Sequence, residues 1–351
     1  MTTPRRSREN PEVREFILRN ASEHPKDISA LAVQKFGLSR AAISGYMQRL
    51  IRAGLVTATG RTFARQYSLK KLSAIAIKLK ITAHSSEDTV WRFRILPHLK
   101  PIPENVRDIC QYGFTEMFNN VIDHSASPDV IVAFEQDYAE IRMRVIDHGV
   151  GIFEKIRRDF HLPDPRTAML ELSKGKLTSD TARHSGEGIF FTSRMFDKFR
   201  ISANSLFYGR EKKDESEWWI EGQEPPELRG GTVIFMAIST DASWTMRQIF
   251  EKYEGDDVHF RKTHVPIKLG RYPGEQLVSR SQAKRILARF ENFSEVILDF
   301  EGVPQIGQAF ADEIFRVFRQ DHPNIRLFAI RANPEVTQMI ERVQKPAISM
   351  D

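Results

Sequence analysis

The chain changes its hydrophobic rhythm several times, and each change predicts an element. Within residues 11–51, apolar residues return every three to four positions, the spacing of one face of a helix. Asn10-Pro11 offers a cap and a proline at the first helical position, ahead of Val13, Phe16, Ile17 and Leu18. Asp27 caps a second helix with Ile28, Leu31, Ala32 and Phe36 inward. Gly37-Leu38-Ser39 then turns into a third with Ile43, Met47, Leu50 and Ile51 inward. At Ala53-Gly54 the period shortens, and Gly60 turns a strand back through residues 61–69, which predicts a two-stranded hairpin.

Residues 104–124 read as one amphipathic helix with a broad apolar face that includes Val106, Ile109, Cys110, Phe114, Met117 and Phe118. Residues 140–146 alternate Ile141, Met143 and Val145 with Arg142 and Arg144, a strand with one buried face. Gly188 opens another helix through Phe190, Phe191, Met195 and Phe196, and residues 233–238 form a further strand. The last third reads strand, helix, strand, helix, strand, helix. Within it lie a buried strand at 296–300, a helix with Phe310, Ile314, Phe315 and Phe318 inward, and a strand at 325–330. That alternation implies an α/β layer.

A length of 351 residues exceeds one ordinary core and divides here into three domains. The expected limits are 1–72, a linker at 73–87, 88–243, a connector at 244–262, and 263–351, a multidomain α/β (α+β) chain. A hydrophobic content of 41% with 28% charged residues is that of a soluble globular protein. No apolar run approaches the ~18 residues that span a bilayer, so no membrane partner is expected. The first residues are basic with no apolar stretch behind them, unlike a secretory signal, and the expected compartment is the cytoplasm. Cys110 is the only cysteine, which excludes an internal disulfide and any multi-cysteine zinc site. The net charge of +6 is unevenly distributed, because residues 1–72 carry 14 Lys/Arg against 5 Asp/Glu. Localised positive charge on a small domain is the footprint of contact with nucleic acid phosphates.

Three polar interruptions mark the middle of the chain. Glu116 and Asn120 are four residues apart on the long helix, so both project in the same direction. Asp147-His-Gly-Val-Gly151 follows the alternating strand, and Gly186-Glu-Gly188 opens the next helix, whose free amides can bind phosphate. In this order and on these elements, the run resembles the N box, G1 box and G2 box of the GHKL superfamily. That is the ATP-binding fold of gyrase, MutL, histidine kinases and anti-sigma kinases. The resemblance covers residues 88 to 240 and implies a mixed sheet with helices on one face, ATP and Mg²⁺.

It further implies that Glu116 is the base that orients and deprotonates a nucleophile, and that Asn120 ligates Mg²⁺ through a neutral carbonyl oxygen. Asp147 would accept the adenine amino group, Gly149 and Gly151 would let the backbone approach base and ribose, and Gly186 and Gly188 would serve the phosphates. Thr232, after Gly230-Gly231, would support the adenine contact. The stretch between Phe153 and Ser185 corresponds to a lid, with Lys174 and Arg183 as candidate γ-phosphate contacts. A histidine phosphoacceptor box is missing ahead of Glu116, which argues against histidine autophosphorylation.

The basic first domain resembles winged helix-turn-helix domains, whose third helix enters the major groove of double-stranded DNA. Arg40, Ser44, Gln48 and Arg49 would then face outward, with Arg61 and Arg65 on the wing; a protein-interaction or dimerisation role for the same module stays open. The stretch Leu298-Asp-Phe-Glu-Gly-Val-Pro-Gln-Ile-Gly-Gln-Ala-Phe310 resembles STAS domains, the fold of anti-anti-sigma factors. Where those factors carry a phosphorylated serine, this chain has Gly307-Gln308-Ala309, so docking or partner binding is expected in place of phosphorylation.

The leading expectation is a DNA-binding transcriptional regulator switched by Mg·ATP. The alternatives are an anti-sigma-type serine/threonine kinase acting on a STAS partner, and a DNA-stimulated defence or repair ATPase that works as a homodimeric clamp.

Overall fold

The computed structural model describes residues 10–61, 64–177, 186–222, 230–254, 260–272 and 274–344. The first unit comprises α1 (Pro11–Asn20), α2 (Ile28–Phe36) and α3 (Arg40–Arg52), followed by an antiparallel hairpin of β1 (Val56–Thr59) and β2 (Gln66–Leu69). Side-chain oxygens of Asn10 and Ser39 accept the first free amides of α1 and α3. Val13, Ile17, Ile28, Ile43, Met47 and Leu50 belong to a small core of this unit's own.

A seven-stranded sheet follows, in the order β3-β4-β5-β9-β6-β7-β8. Its strands are β3 (Ser73–Lys80), β4 (Asp129–Gln136), β5 (Glu140–Asp147), β6 (Lys198–Ala203), β7 (Leu206–Glu211), β8 (Ser216–Glu221) and β9 (Thr232–Ser239). Two expectations need correction. Residues 73–80 of the expected linker 73–87 are a strand, because their alternating Ser-Ala-Ile-Ala-Ile-Lys-Leu-Lys pattern pairs along the full length of β4 and forms the sheet edge. The sheet is also not mixed. All six pairings are antiparallel, since β9 inserts between β5 and β6 and runs against both.

Between the strands lie α4 (Glu87–Val90), α5 (Glu104–His124), α6 (Ile152–Asp159), α7 (Pro165–Lys174) and α8 (Gly188–Met195). One face of the sheet, with Val132, Phe134, Ile141, Met143 and Val145, is buried with Phe114, Met117 and Phe118 of α5 in one core. On the other face Arg144 and Arg200 are exposed.

The expected connector 244–262 contains α9 (Met246–Tyr253), begun by a capping box between Thr245 and Gln248. Phe250 packs on Phe191, and Tyr253 on Phe190 and Phe191, so α9 is part of the core and not a tether. The last unit is a parallel sheet of β10 (Lys262–Pro266), β11 (Glu295–Asp299) and β12 (Arg326–Ile330). Parallel neighbours need long crossovers, supplied by α10 (Arg280–Leu287), by α11 (Gln308–Asp312) continuing into α12 (Arg319–Asp321), and followed by α13 (Pro334–Gln344). Its core runs without a break into that of the seven-stranded unit.

The first unit docks on one end of the large sheet. Arg19 of α1 pairs with Asp241 at 2.8 Å and donates to the hydroxyls of Ser239 and Thr240, while the Tyr138 hydroxyl donates to Glu15 at 2.8 Å. β5 and β9 pair Glu140 with Ser239 at this end and Asp147 with Thr232 at the other.

Candidate functional site

A cavity of about 430 Å³ opens where α5, α6, α7 and α8 meet the Asp147–Thr232 end of the sheet. Packing of α8 on α5 brings its far walls together. Gly113 of α5 makes that approach possible, since a Cβ there would lie 2.4 Å from the Phe196 ring. The N-terminal turn of α8 thereby comes against Glu116, and a Cβ on Gly188 would fall 2.0 Å from the Glu116 Oε2.

Glu116, Asn120, Asp147, Gly151, Gly186, Gly188 and Thr232 all line this cavity, although they come from four separate stretches of sequence. Glu116 and Asn120 are half-buried on one face of α5, one turn apart. Tyr112, a turn earlier, has its hydroxyl pushed up by burial and then by the carboxylates of Glu116 and Glu187. The cavity is therefore acidic where Glu116 stands.

At the opposite wall Asp147 is buried, and burial raises its carboxyl above the ordinary range. Hydrogen bonds from the Gly149 amide and from Thr232 act against that rise. The Gly149 N–H donates to Asp147 Oδ1 at 2.8 Å. The Thr232 hydroxyl accepts the Ile152 N–H at 3.0 Å, and Thr232 stands opposite Asp147 in the strand pairing. A carboxylate has about four lone-pair sites, so acceptor capacity remains for a donor entering from the cavity.

Gly149 is the exception among the expected residues. It does not line the cavity. A Cβ there would lie 1.9 Å from the Ser125 carbonyl oxygen, so the close approach that requires glycine is to the chain's own backbone. Lys174 also differs from expectation: it is buried outside the cavity, bonded to Glu171 at 2.6 Å and to the Ala288 carbonyl at 2.8 Å. Its ammonium lies 5.3 Å from the Phe290 ring centroid, and a buried acid partner holds it there. Arg183, and Ser185 just before Gly186, lie outside the described residues.

The cavity also holds residues that motif reading passed over. Lys155 and Asp159 of α6 pair across one turn at 2.6 Å and line it, with Asn119, His124, Phe160, Leu172 and Leu177. The only sequence signal for the pair was its four-residue spacing just after Gly151.

The second candidate surface is α3 and its hairpin. Arg40, Ser44, Gln48 and Arg49 are exposed on α3; the first three repeat every four residues and share a face. Arg49 lies over the Tyr46 ring at 4.4 Å. Arg61 is exposed at the hairpin turn. Arg65 is only half-exposed and lies 5.4 Å from the Tyr67 ring centroid, with a buried Nε that has no hydrogen-bond partner among the described residues. Arg65 therefore lies partly against its own hairpin.

Among the described residues no group of three or more His, Cys, Asp or Glu could hold a metal ion, and no helix is long and apolar enough to cross a membrane. Residues 282–337 match the family described as a STAS-like domain of unknown function (DUF4325). The C-terminal unit is therefore STAS-like. No curated protein matches the chain.

Proposed function

We propose that the chain is an Mg·ATP-operated DNA-binding regulator: a GHKL-type nucleotide domain between a winged helix and the STAS-like domain. The supporting observation is convergence. Three motifs read separately along the sequence meet around one cavity, with Glu116 and Asn120 on one side and Asp147 with Thr232 on the other.

The residues fit the ligand chemically. Buried Asp147, its carboxylate oriented by Gly149 and Thr232, suits the amino group of adenine. At the far wall Gly188 lets the carboxylate of Glu116 close on the first turn of α8, whose free amides suit a phosphate chain. Asn120 offers one neutral oxygen, so Mg²⁺ would rely on phosphate oxygens and water for its other ligands. The ion's contribution is to neutralise developing phosphate charge. Glu116 stands where it can orient an attacking water and receive its proton.

Charge supports the DNA part of the reading: residues 1–72 carry nine more positive than negative side chains, and Arg40, Ser44 and Gln48 present one face of α3. Coupling requires that nucleotide favour one arrangement of the units over another. A tenfold change in DNA affinity needs about 1.4 kcal/mol of such preference.

The test is phosphate release from Mg·ATP by the purified protein, with and without duplex DNA, beside Glu116→Gln. Turnover lost in the variant supports a hydrolytic switch. Absence of any ATP binding by the wild type sinks the reading.

A further inference from the structure

Arg289 follows the last turn of α10 with φ +64. That left-handed position at a helix end ordinarily goes to glycine, because a side chain there is strained. An arginine kept in a strained conformation directs attention to what its side chain does.

The side chain leaves the STAS-like domain and enters the wall of the cavity's unit. Its Nη1 pairs with Glu171 Oε2 at 3.1 Å, and Nη2 donates to the carbonyl oxygens of Gly175, at 3.4 Å, and Lys176. The guanidinium also lies 5.8 Å from the Phe160 ring centroid. Phe160, Leu172 and Leu177 line the cavity, and the last two bracket the carbonyls that Arg289 holds. The Leu177 N–H then donates to the Gly186 carbonyl at 3.1 Å, which ties this wall to the glycine run ahead of α8.

Glu171 is 1% exposed, so its charge requires partners. Lys174 supplies one from the same helix, and Arg289 the other from a different domain.

We infer that Arg289 is a positioning residue for the nucleotide cavity, supplied by the STAS-like domain to hold the 171–177 wall in its receiving shape. The inference rests on the nucleotide reading of the cavity. It makes the STAS-like domain a working part of that site: whatever shifts the end of α10 shifts Phe160, Leu172 and Leu177 with it.

Arg289→Gly removes the side chain and at the same time relieves the backbone; Arg289→Lys keeps the charge but loses the fork of donors. Tyr272→Phe is the control, since it breaks the other end of the contact with this segment, the 2.7 Å hydrogen bond to Asp164, without touching the 171–177 wall. Two measurements on the full-length chain separate the possibilities: amide exchange at residues 171–177 without ligand, and Mg·ATP affinity.

Arg289→Gly should speed exchange at 171–177 and weaken Mg·ATP about five- to tenfold, mainly through faster dissociation. Arg289→Lys should recover part of the loss, and Tyr272→Phe should retain wild-type affinity. Unchanged exchange in Arg289→Gly overturns the inference, as does an equal loss of affinity in Tyr272→Phe, which would mean that docking in general is being read. Faster exchange in a protein whose wild type binds no ATP upholds the hold of Arg289 on the wall and rejects the nucleotide reading.

Discussion

Gly188 stands so close to the carboxylate of Glu116 that a methyl group on it would lie 2.0 Å from Oε2. The obstruction is the end of a movable side chain, so the fold can yield where the chemistry cannot. Gly188→Ala should keep the wild-type melting temperature within a few degrees, while phosphate release falls at least about a hundredfold, the usual contribution of a positioned general base. Calorimetry beside a phosphate assay reads both, and wild-type turnover in the alanine variant would remove Glu116 from the mechanism.

Asn120→Ala should separate metal-dependent binding from folding. One turn from Glu116 and half-buried, Asn120 makes no side-chain hydrogen bond among the described residues. Titration with ATP, with and without Mg²⁺, should show the Mg²⁺-dependent part of the affinity gone. An unaltered Mg²⁺ dependence would remove the ligand assignment.

Nucleotide affinity should fall in mild acid. Burial raises the Asp147 carboxyl above its ordinary value of ~3.9, and protonation replaces an acceptor with a donor facing another donor. Affinity is therefore full at neutral pH and decreases as pH drops through the raised value. Asp147→Asn should bind weakly at every pH and lose this dependence. A wild-type profile flat down to pH ~4 would count against Asp147 as the base-recognition residue.

Asp299, at the end of β11, should matter for stability. Burial alone would raise its carboxyl, but hydrogen bonds from His264 and Arg331 hold it well below the ordinary range. A depressed carboxyl stabilises the fold fully above the unfolded value of ~3.9 and loses that contribution as pH falls below it. Asp299→Ala leaves Arg331 and His264 without their shared partner and should cost about 3 kcal/mol in chemical denaturation at neutral pH. A loss under about 0.5 kcal/mol, the ordinary surface range, would show that the network is dispensable.

Arg40→Ala should weaken binding to duplex DNA at fixed salt, and Arg65→Ala much less, because Arg65 is already engaged with Tyr67. Equal losses for the two would return the hairpin arginine to the interface.

Legibility followed locality. The helices of the first unit, the pairing of Glu116 with Asn120, and the strands and helices of the STAS-like unit were readable because period and cap lie within a few residues of one another. The course of β9 was not, since nothing in Thr232–Ser239 records that it inserts between β5 and β6. β3 passed for a linker because its Ala and Lys positions are those of an exposed edge, with half-buried Ile75, Ile77 and Leu79 between them. The burial of Lys174 was hidden for a related reason: a lysine shows its charge in sequence but not the Glu171 that a folded chain brings to it. Arg289 gave no signal at all, because its meaning depends on a backbone angle and on a wall about 115 residues away in sequence.

The antiparallel pairing of β5 with β9 sets Asp147 against Thr232 and, in the same register, Glu140 against Ser239. Slippage by a single residue would turn every side chain of a strand to the opposite face, so the two strands cannot slide to suit either end alone. The pair is a bar of fixed length with the cavity at one tip and the Arg19 and Glu15 contacts of the first unit at the other. On the nucleotide reading proposed above, occupancy of the cavity would reach the three hydroxyls and one carboxylate that grip α1 as a tilt or twist of the bar and not as a slide.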